Sequence, residues 1–533
     1  MAKANKIYKA LIYILPAVLY FSYYPIISLG SNGVMNFELS LPLIWLVIFD
    51  TVALFIMLRK RILFRKFGRK WVWLLFPIFV TLSVLWSMNF LRGVLTAGIL
   101  WLIYFAGYAF WSLKSLFDEV GFKEKFWRVF FGSALFAGGW CFLQCVLDLA
   151  GVSREVSLMC AGCTYRMFGF PHPNGFAIEP QFMGNLLLAP ALVSAWLFME
   201  KHNSKIFERK PSRGVVLTTG QADSARYFST GSSSVPVVET TTGSGFLCSK
   251  ILLLCFFMIS VMLFLTFSRG AIYAFVVAMI FMVVMEGVRQ KSWRVGKIFI
   301  IIALAFVFTL NLQGIMAQVS PTNDTYATGV AKVLNHLSLG VIDVRGNSSE
   351  EGASLEKIEA SESEETEALE SVKTEGKSGK KENDDKEKGP EEAIFDGYVA
   401  ESTDTRLKLT GAAVEVWKKD SATALFGVGL GGAGQALYVN GLSPAPKEIV
   451  QNEYASLLLE TGIVGIVLLI LTMVLIIRVV IKSQLAPMML ALIVAYAITL
   501  LFFSGLPNAL QIYLLPALLW AFLWKEKSNK RNQ

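Results

Sequence analysis

The chain has few charged residues and few histidines. Asp, Glu, Lys and Arg make up 17% of its 533 residues, and only three residues are His. Soluble domains carry roughly 25% charged residues, whereas this chain has a mean hydropathy of +0.54. The shortage of charge excludes an ordinary soluble protein. The net charge of +9 does not indicate nucleic-acid binding, because the basic residues lie in short loops between apolar runs.

Cysteine is also scarce, with six residues. Cys160 and Cys163 form a C-x-x-C pair in a polar loop, which predicts a disulfide if the loop faces outward and two free thiols otherwise. The pair has no second C-x-x-C and no pair of histidines beside it, so it indicates a metal only weakly. We therefore predict no metal and no cofactor. The other four are predicted to be small packing residues in or beside apolar runs: Cys141, Cys145, Cys248 and Cys255.

Long apolar runs are abundant. A helix needs about 20 apolar residues to cross a bilayer, and its backbone must be hydrogen-bonded within the segment. These rules predict an all-α polytopic membrane protein with about twelve transmembrane helices. The predicted helices span residues 8–29, 40–58, 71–88, 93–113, 129–150, 176–199, 250–267, 271–286, 297–315, 453–477, 485–504 and 509–524.

The basic residues predict the orientation of these helices. Every cluster of Lys and Arg follows an even-numbered run or lies at the N-terminus. Strict alternation then places both termini and all basic loops in the cytoplasm. The first run lacks a convincing cleavage site, so we interpret it as an uncleaved helix of a bacterial cytoplasmic (inner) membrane protein.

This orientation divides the chain into three parts. Residues 1–315 hold helices 1–9, residues 316–452 form a large extracytoplasmic loop, and residues 453–533 hold helices 10–12 and a cytoplasmic tail. Two stretches have too few apolar residues to fold and are predicted to be disordered. One is a cytoplasmic loop near 203–247, and the other is the acidic and lysine-rich insert 347–392. The insert is interpreted as a spacer, with partner binding as the alternative.

Two predicted outer segments contain an arginine beside helix-breaking residues. Arg269 lies in a Phe-Ser-Arg-Gly-Ala break between two apolar runs. An arginine at that depth needs a partner or water, and its planar fork suits a phosphate. The alternative is an arginine that snorkels at a helix end. Arg166 begins a Pro- and Gly-rich turn that also contains His172, Asn174 and Glu179. His172 is a candidate proton carrier or a solvated loop histidine.

A third arginine, Arg406, begins an amphipathic stretch after the polar insert. This stretch is predicted to be a helix that lies on the membrane surface or covers a lipid-linked substrate. Its candidate buried positions are Leu407, Leu409, Ala413, Val414 and Trp417.

The Gly427–Gly432 segment resembles a dinucleotide loop only superficially, because no βαβ unit surrounds it. Its glycines, Gly429 among them, are predicted to permit a close approach of backbone to a ligand or to another helix. Asn452 is a candidate N-cap for the following helix, and the charge of Glu453 suits its N-terminus. Glu460 lies on the same face about 10 Å further along and needs a partner such as an arginine.

The order of these motifs resembles the O-antigen ligase and polymerase superfamily of bacterial envelope enzymes. The resemblance rests on Arg-Met-Phe-Gly-Phe…Pro-Asn at 166–174, Thr-Phe-Ser-Arg-Gly-Ala at 266–271, Arg406…Trp417…Phe-Gly-Val-Gly-Leu at 426–430, and Gln-Asn-Glu-Tyr at 451–454 followed by Leu-Glu-Thr-Gly…Gly at 459–465. It implies metal-independent glycosyl transfer at the outer face of the cytoplasmic membrane. The donor would be a glycan on undecaprenyl diphosphate, the acceptor a glycan or a lipid, and arginines would hold the diphosphate.

The chain departs from the family at one position. Ligases of the family have a His where this chain has Gln451, and a glutamine cannot take a proton. His336, His172 and Glu460 are the candidate replacements, and a polymerase is favoured slightly over a ligase. The alternative from another class is a secondary transporter for a lipid-linked or small solute, although the two halves show no similarity to each other.

Overall fold

The computed structural model describes residues 2–22, 25–29, 37–62, 72–119, 121–150, 173–177, 179–208, 249–290, 296–319, 325–338, 406–446, 449–504 and 509–524. The predictions for Arg166, His172, the Cys160–Cys163 pair, the insert 347–392 and most of 203–247 fall outside these residues.

The described residues are mostly helical. The membrane part consists of α1 (Ala2–Val18), α2 (Leu41–Arg59), α3 (Leu75–Ser83), α4 (Phe90–Ser112), α5 (Phe122–Leu149), α6 (Pro180–Glu208), α7 (Ser249–Leu265), α8 (Arg269–Gln290), α9 (Ile298–Val319), α14 (Glu453–Ile481), α15 (Ala486–Thr499) and α16 (Leu510–Leu523). In the described residues between α9 and α14 there are four shorter helices: α10 (Tyr326–Leu337), α11 (406–417), α12 (Ser421–Phe426) and α13 (Ala433–Val439).

The lengths and compositions of these helices confirm an all-α membrane protein in outline. Within the described residues, seven helices are long and apolar enough to cross a membrane, namely α2, α4, α5, α6, α8, α9 and α14. Four further apolar helices are shorter: Val72–Trp86, α7, α15 and α16. The total of twelve spans therefore stays a prediction, as does the sidedness of the loop between α9 and α14.

The first predicted helix is wrong in its second half. Instead of continuing to residue 29, α1 ends at Val18, and a short 3-10 turn ends at Phe21. Pro25–Leu29 is a strand that pairs antiparallel with Phe37–Ser40. Proline has no backbone N–H and breaks a helix, and the residues after it are β-branched, which favours a strand. A small β-hairpin thus accompanies the helices.

Aromatic and aliphatic side chains from most of the long helices form one large core, which includes Phe49, Phe110, Phe126 and Trp196. Buried Cys141, Cys145 and Cys255 are packing residues, as predicted. A second cluster joins α11, α13 and the start of α14 through Leu409, Ala413, Val416, Ala436 and Leu459. Helices α11 and α13 are therefore packed on the N-terminal part of α14.

Candidate functional site

The N-terminal ends of α6 and α8 meet through a glycine. A Cβ atom on Gly184 of α6 would lie 2.8 Å from the Cβ of Ala271, 3.0 Å from Oγ1 of Thr266 and 3.1 Å from the Cβ of Ser268. Such distances leave room only for glycine, because real Cβ atoms are not found that close to other heavy atoms. The break that carries Arg269 is thus packed directly on the first turns of α6.

The N-terminus of α14 joins them through the corner after α15. The backbone N–H of Glu453 donates to the carbonyl of Leu500 at 3.0 Å, and Ser504 Oγ donates to the Glu453 carboxylate at 2.8 Å. In the same corner the ring of Phe503 contacts that of Phe182, with centroids 5.6 Å apart. Glu453, predicted to suit the helix N-terminus by charge, is buried and hydrogen-bonded there. The N-termini of α6, α8 and α14 therefore lie at one end of the bundle.

Arg406, the first residue of α11, reaches this end and is held by two amides. Its Nε donates to Oε1 of Gln451 at 2.7 Å, and its Nη2 donates to Oε1 of Gln181 at 3.2 Å. Nε2 of Gln181 in turn donates to a carboxylate oxygen of Glu179. Within the described part of the chain, none of the ion pairs involves Arg406. The guanidinium is therefore oriented by neutral partners and keeps its charge available for an anion.

The predicted amphipathic helix at Arg406 is confirmed, but one of its buried positions is wrong. Leu409 and Ala413 are buried, whereas Leu407 is 66% exposed. The buried face continues at Val416, so it follows a spacing of four and three residues. Leu407 lies off that face. Val414 and Trp417 are partly buried.

Asn452 caps α14 as predicted. Its Oδ1 accepts hydrogen bonds from the backbone N–H groups of Tyr454 and Ala455, both at 3.1 Å. The cap fixes the residue at which α14 begins. Gln451, which directly precedes the cap, is thereby held at the N-terminus of the helix beside Arg406. Gln451 acts in the structure as a hydrogen-bond acceptor for a cation.

Arg269 begins α8 and lies near His336 of α10. The Nε2 of the buried His336 donates to the carbonyl oxygen of Phe267 at 3.2 Å. Phe267 has φ of +47°, which is rare for a residue with a side chain and turns its carbonyl toward α10. Burial and the Arg269 charge lower the pKa of His336 to about 4, although its hydrogen bond to Phe267 acts in the opposite direction. At neutral pH the imidazole is uncharged, with a proton on Nε2 and the lone pair on Nδ1.

The glycine-rich segment is packed against two helix ends. Gly427 and Gly429 have φ of +73° and +86°. A Cβ on Gly429 would lie 2.4 Å from the Cα of Ser87, at the corner between α3 and α4. The N–H of Gly429 donates to the carbonyl of Glu460 at 2.9 Å. Of the two predicted roles for these glycines, close approach to another helix is present in the structure, and ligand binding by Gly429 stays a prediction.

The Glu460 carboxylate is buried beneath this segment. Its Oε1 accepts the backbone N–H of Ala433 at 3.4 Å, and the Arg92 charge acts on it from the start of α4. Arg92 is thus the arginine whose charge reaches Glu460, although the two side chains form no ion pair among the described residues. Sequence reasoning did not select Arg92, although it is the one basic residue in the short predicted outer segment 89–92.

Asn174 and Glu179 flank the turn that leads into α6. Asn174 is completely buried, and its Oδ1 accepts from Nε2 of Gln144 in α5 at 3.0 Å. Oε1 of the same glutamine accepts the N–H of Gly175 at 2.8 Å. Asn174 therefore anchors the turn, and a substrate contact stays a prediction. Glu179 contacts Gln181, a residue that sequence reasoning missed although it lies two positions away.

The comparison with protein families matches residues 253–470 to the family model described as O-Antigen ligase. The matched range runs from α7 into α14 and contains Arg269, His336, Arg406, Gln451 and Glu460. No curated protein matches the chain. The resemblance inferred from the motifs is thereby confirmed over residues 253–470, and the transporter alternative receives no support.

Proposed function

We propose that this chain, whose residues 253–470 match the O-antigen ligase family model, transfers a glycan from an undecaprenyl-diphosphate carrier at the outer face of the cytoplasmic membrane. The acceptor is another glycan or a lipid, and the chemistry needs no metal. The observation that carries the proposal is the setting of Arg406, a cation held by two neutral amides within the matched range.

The charges at this end of the bundle support a diphosphate leaving group. Arg269 starts α8, and Arg406 contacts Gln181 in the first turn of α6, three residues before Gly184 at the α6–α8 contact. When the glycosidic bond to the phosphate breaks, negative charge grows on the departing diphosphate. Prearranged cations stabilise that charge, and losing one such contact costs roughly a hundredfold in rate. Arg166 is proposed to add a further contact.

A polymerase is favoured over a ligase because of Gln451. Its amide oxygen accepts from Arg406, so it orients the cation and takes no proton. Proton removal from the acceptor hydroxyl is therefore assigned to another group. His336 is one candidate, because it lies within the matched range and near Arg269, but its lowered pKa makes it a weaker base than an ordinary imidazole. His172 and Glu460 are the alternatives.

The test is a reaction in nanodiscs with a purified undecaprenyl-diphosphate-linked oligosaccharide. A ladder of longer lipid-linked products is expected from a polymerase, and a single transfer to an added lipid acceptor from a ligase. Arg406→Ala serves as a comparison, with about a hundredfold lower turnover expected. Consumption of no donor under either condition, by protein that is folded in the nanodisc, would contradict the proposal.

A further inference from the structure

The amide of Gln181 has its oxygen, and not its NH₂ group, turned toward Arg406. The oxygen accepts from Nη2 of Arg406 at 3.2 Å, while the NH₂ group donates to Glu179. A glutamine amide can present either end to a neighbour, and the two ends have opposite polarity. An NH₂ group in contact with the guanidinium would place two donors against each other.

The Glu179 carboxylate accounts for this orientation. An ionised carboxylate only accepts hydrogen bonds, so it selects the NH₂ end of Gln181 and leaves the oxygen for the arginine. The position of Glu179 is itself set by the helix start, because its carbonyl accepts the N–H groups of Phe182 and Met183 at 3.1 and 3.4 Å. A negative charge is also favourable there, since the N-terminus of α6 carries a partial positive charge.

We propose that Glu179 and Gln181 are positioning residues that orient Arg406 without pairing it, among the described residues, with a carboxylate, so that its charge is available for the donor diphosphate, an inference that rests on the proposed function. A carboxylate in direct contact with Arg406 would orient the guanidinium equally well. It would also form an ion pair and compete with the diphosphate. In the structure the Glu179 carboxylate does not contact Arg406 directly, because the Gln181 amide lies between the two groups.

Exchanging the two side chains tests this arrangement. Glu179→Gln with Gln181→Glu keeps the same two side chains, the same net charge and a hydrogen bond between them, but it moves the carboxylate onto Arg406. If the pair only supports the fold, the exchange should behave like the wild type. If the amide keeps Arg406 uncompensated, the exchange should lose activity.

Each single variant has a distinct expectation. Gln181→Glu places the carboxylate on Arg406 and should lower turnover of the lipid-linked donor about a hundredfold, the usual size for one lost cationic contact. The exchanged double variant should be equally impaired. Glu179→Gln keeps an acceptor for the Gln181 amide but no longer selects its orientation, so it should lose on the order of tenfold or less. An exchanged variant with near-normal turnover, or a Gln181→Glu variant with near-normal turnover, would overturn the inference.

A binding measurement separates this inference from the proposed function. Retention of undecaprenyl diphosphate by purified protein is measured by native mass spectrometry for the wild type, Gln181→Glu and the exchanged variant. Retention by the wild type and its loss in both variants supports the inference even if no glycan is transferred. Equal retention by all three, or no retention by the wild type, overturns it even if the protein does transfer glycans.

Discussion

A single methyl group at Gly462 should destabilise the protein markedly. Gly462 interrupts α14 with φ of +62° and ψ of −169°, a conformation that is essentially restricted to glycine. A Cβ there would lie 2.3 Å from the carbonyl oxygen of Leu425 and 2.6 Å from the N of Phe426. In the backbone segment that faces Gly462, a Cβ on Gly427 would lie 2.3 Å from the carbonyl carbon of Glu460. Neither backbone can move away without moving the other.

The expected decrease in the free energy of unfolding has two contributions. The backbone strain of Gly462→Ala should cost about 1–3 kcal/mol. Relief of the clash would lengthen the bonds from Val428 N to Leu459 O and from Gly429 N to Glu460 O, both now 2.9 Å. Each is worth about 1 kcal/mol. A loss of about 4 kcal/mol corresponds, in a chain of this size, to a fall in Tm on the order of 5 °C.

The assay is thermal unfolding of purified protein in detergent, followed by tryptophan fluorescence. Gly98→Ala is the matched control, because Gly98 lies inside α4 with no other atom within 4 Å of an added Cβ. That control should leave Tm unchanged or raise it slightly, since alanine favours a helix over glycine by about 1 kcal/mol. If Gly462→Ala unfolds at the wild-type temperature, the close packing of the two backbones at this kink has been misjudged.

Further predictions concern charge, pH and orientation. Arg269→Lys and Arg406→Lys should each keep part of the activity, because the charge remains but the two-pronged geometry of the guanidinium is lost. The activity of the two alanine variants should fall about a hundredfold. Full glycan output from folded alanine variants would exclude the proposed role. Because the folded pKa of His336 is about 4, below the roughly 6.5 of an unfolded histidine, its contribution to stability should be complete above pH 6.5 and lost as the pH falls toward 4. Tm measured across that range should therefore depend less on pH in His336→Gln, and an unchanged slope would contradict this. In a background with the natural cysteines replaced, an impermeant maleimide on intact cells should label Lys380→Cys but not Arg65→Cys; the reverse pattern would invert the predicted topology.

Apolar runs predicted the helices well because a bilayer imposes one simple requirement on each of them. A segment that leaves its backbone unsatisfied in lipid is excluded, so length and hydropathy alone locate a helix. The same rule failed after Phe21, where the apolar run continues but the helical turns have ended and Pro25 begins a strand. Apolar composition cannot distinguish a helix from a strand over so few residues.

The contacts around Arg406 were beyond sequence reasoning for a different reason. Arg406 and Gln181 lie 225 residues apart, and nothing in local periodicity brings them together. Sequence analysis did select the two residues separately, Arg406 because it begins an amphipathic stretch and Glu179 because it lies in the Pro- and Gly-rich turn before a helix. It missed Gln181 and Arg92, whose importance depends only on which helix ends become neighbours in the fold.

The glutamine at position 451 is best understood together with those neighbours. A histidine there, which the resemblance implies for ligases of the family, could carry a proton, whereas Gln451 offers Arg406 a second neutral acceptor in addition to Gln181. Two amides orient the guanidinium without neutralising it, and we propose that position 451 would thereby contribute to electrostatic stabilisation of the leaving group and not to proton transfer. Separation of the two tasks agrees with His336 being neutral and placed near the other arginine, Arg269. If His336 accepts the proton, a Gln451→His variant should gain no activity at neutral pH. The same change is then tested in His336→Ala. Restored activity there would show that a histidine at position 451 can accept the proton instead.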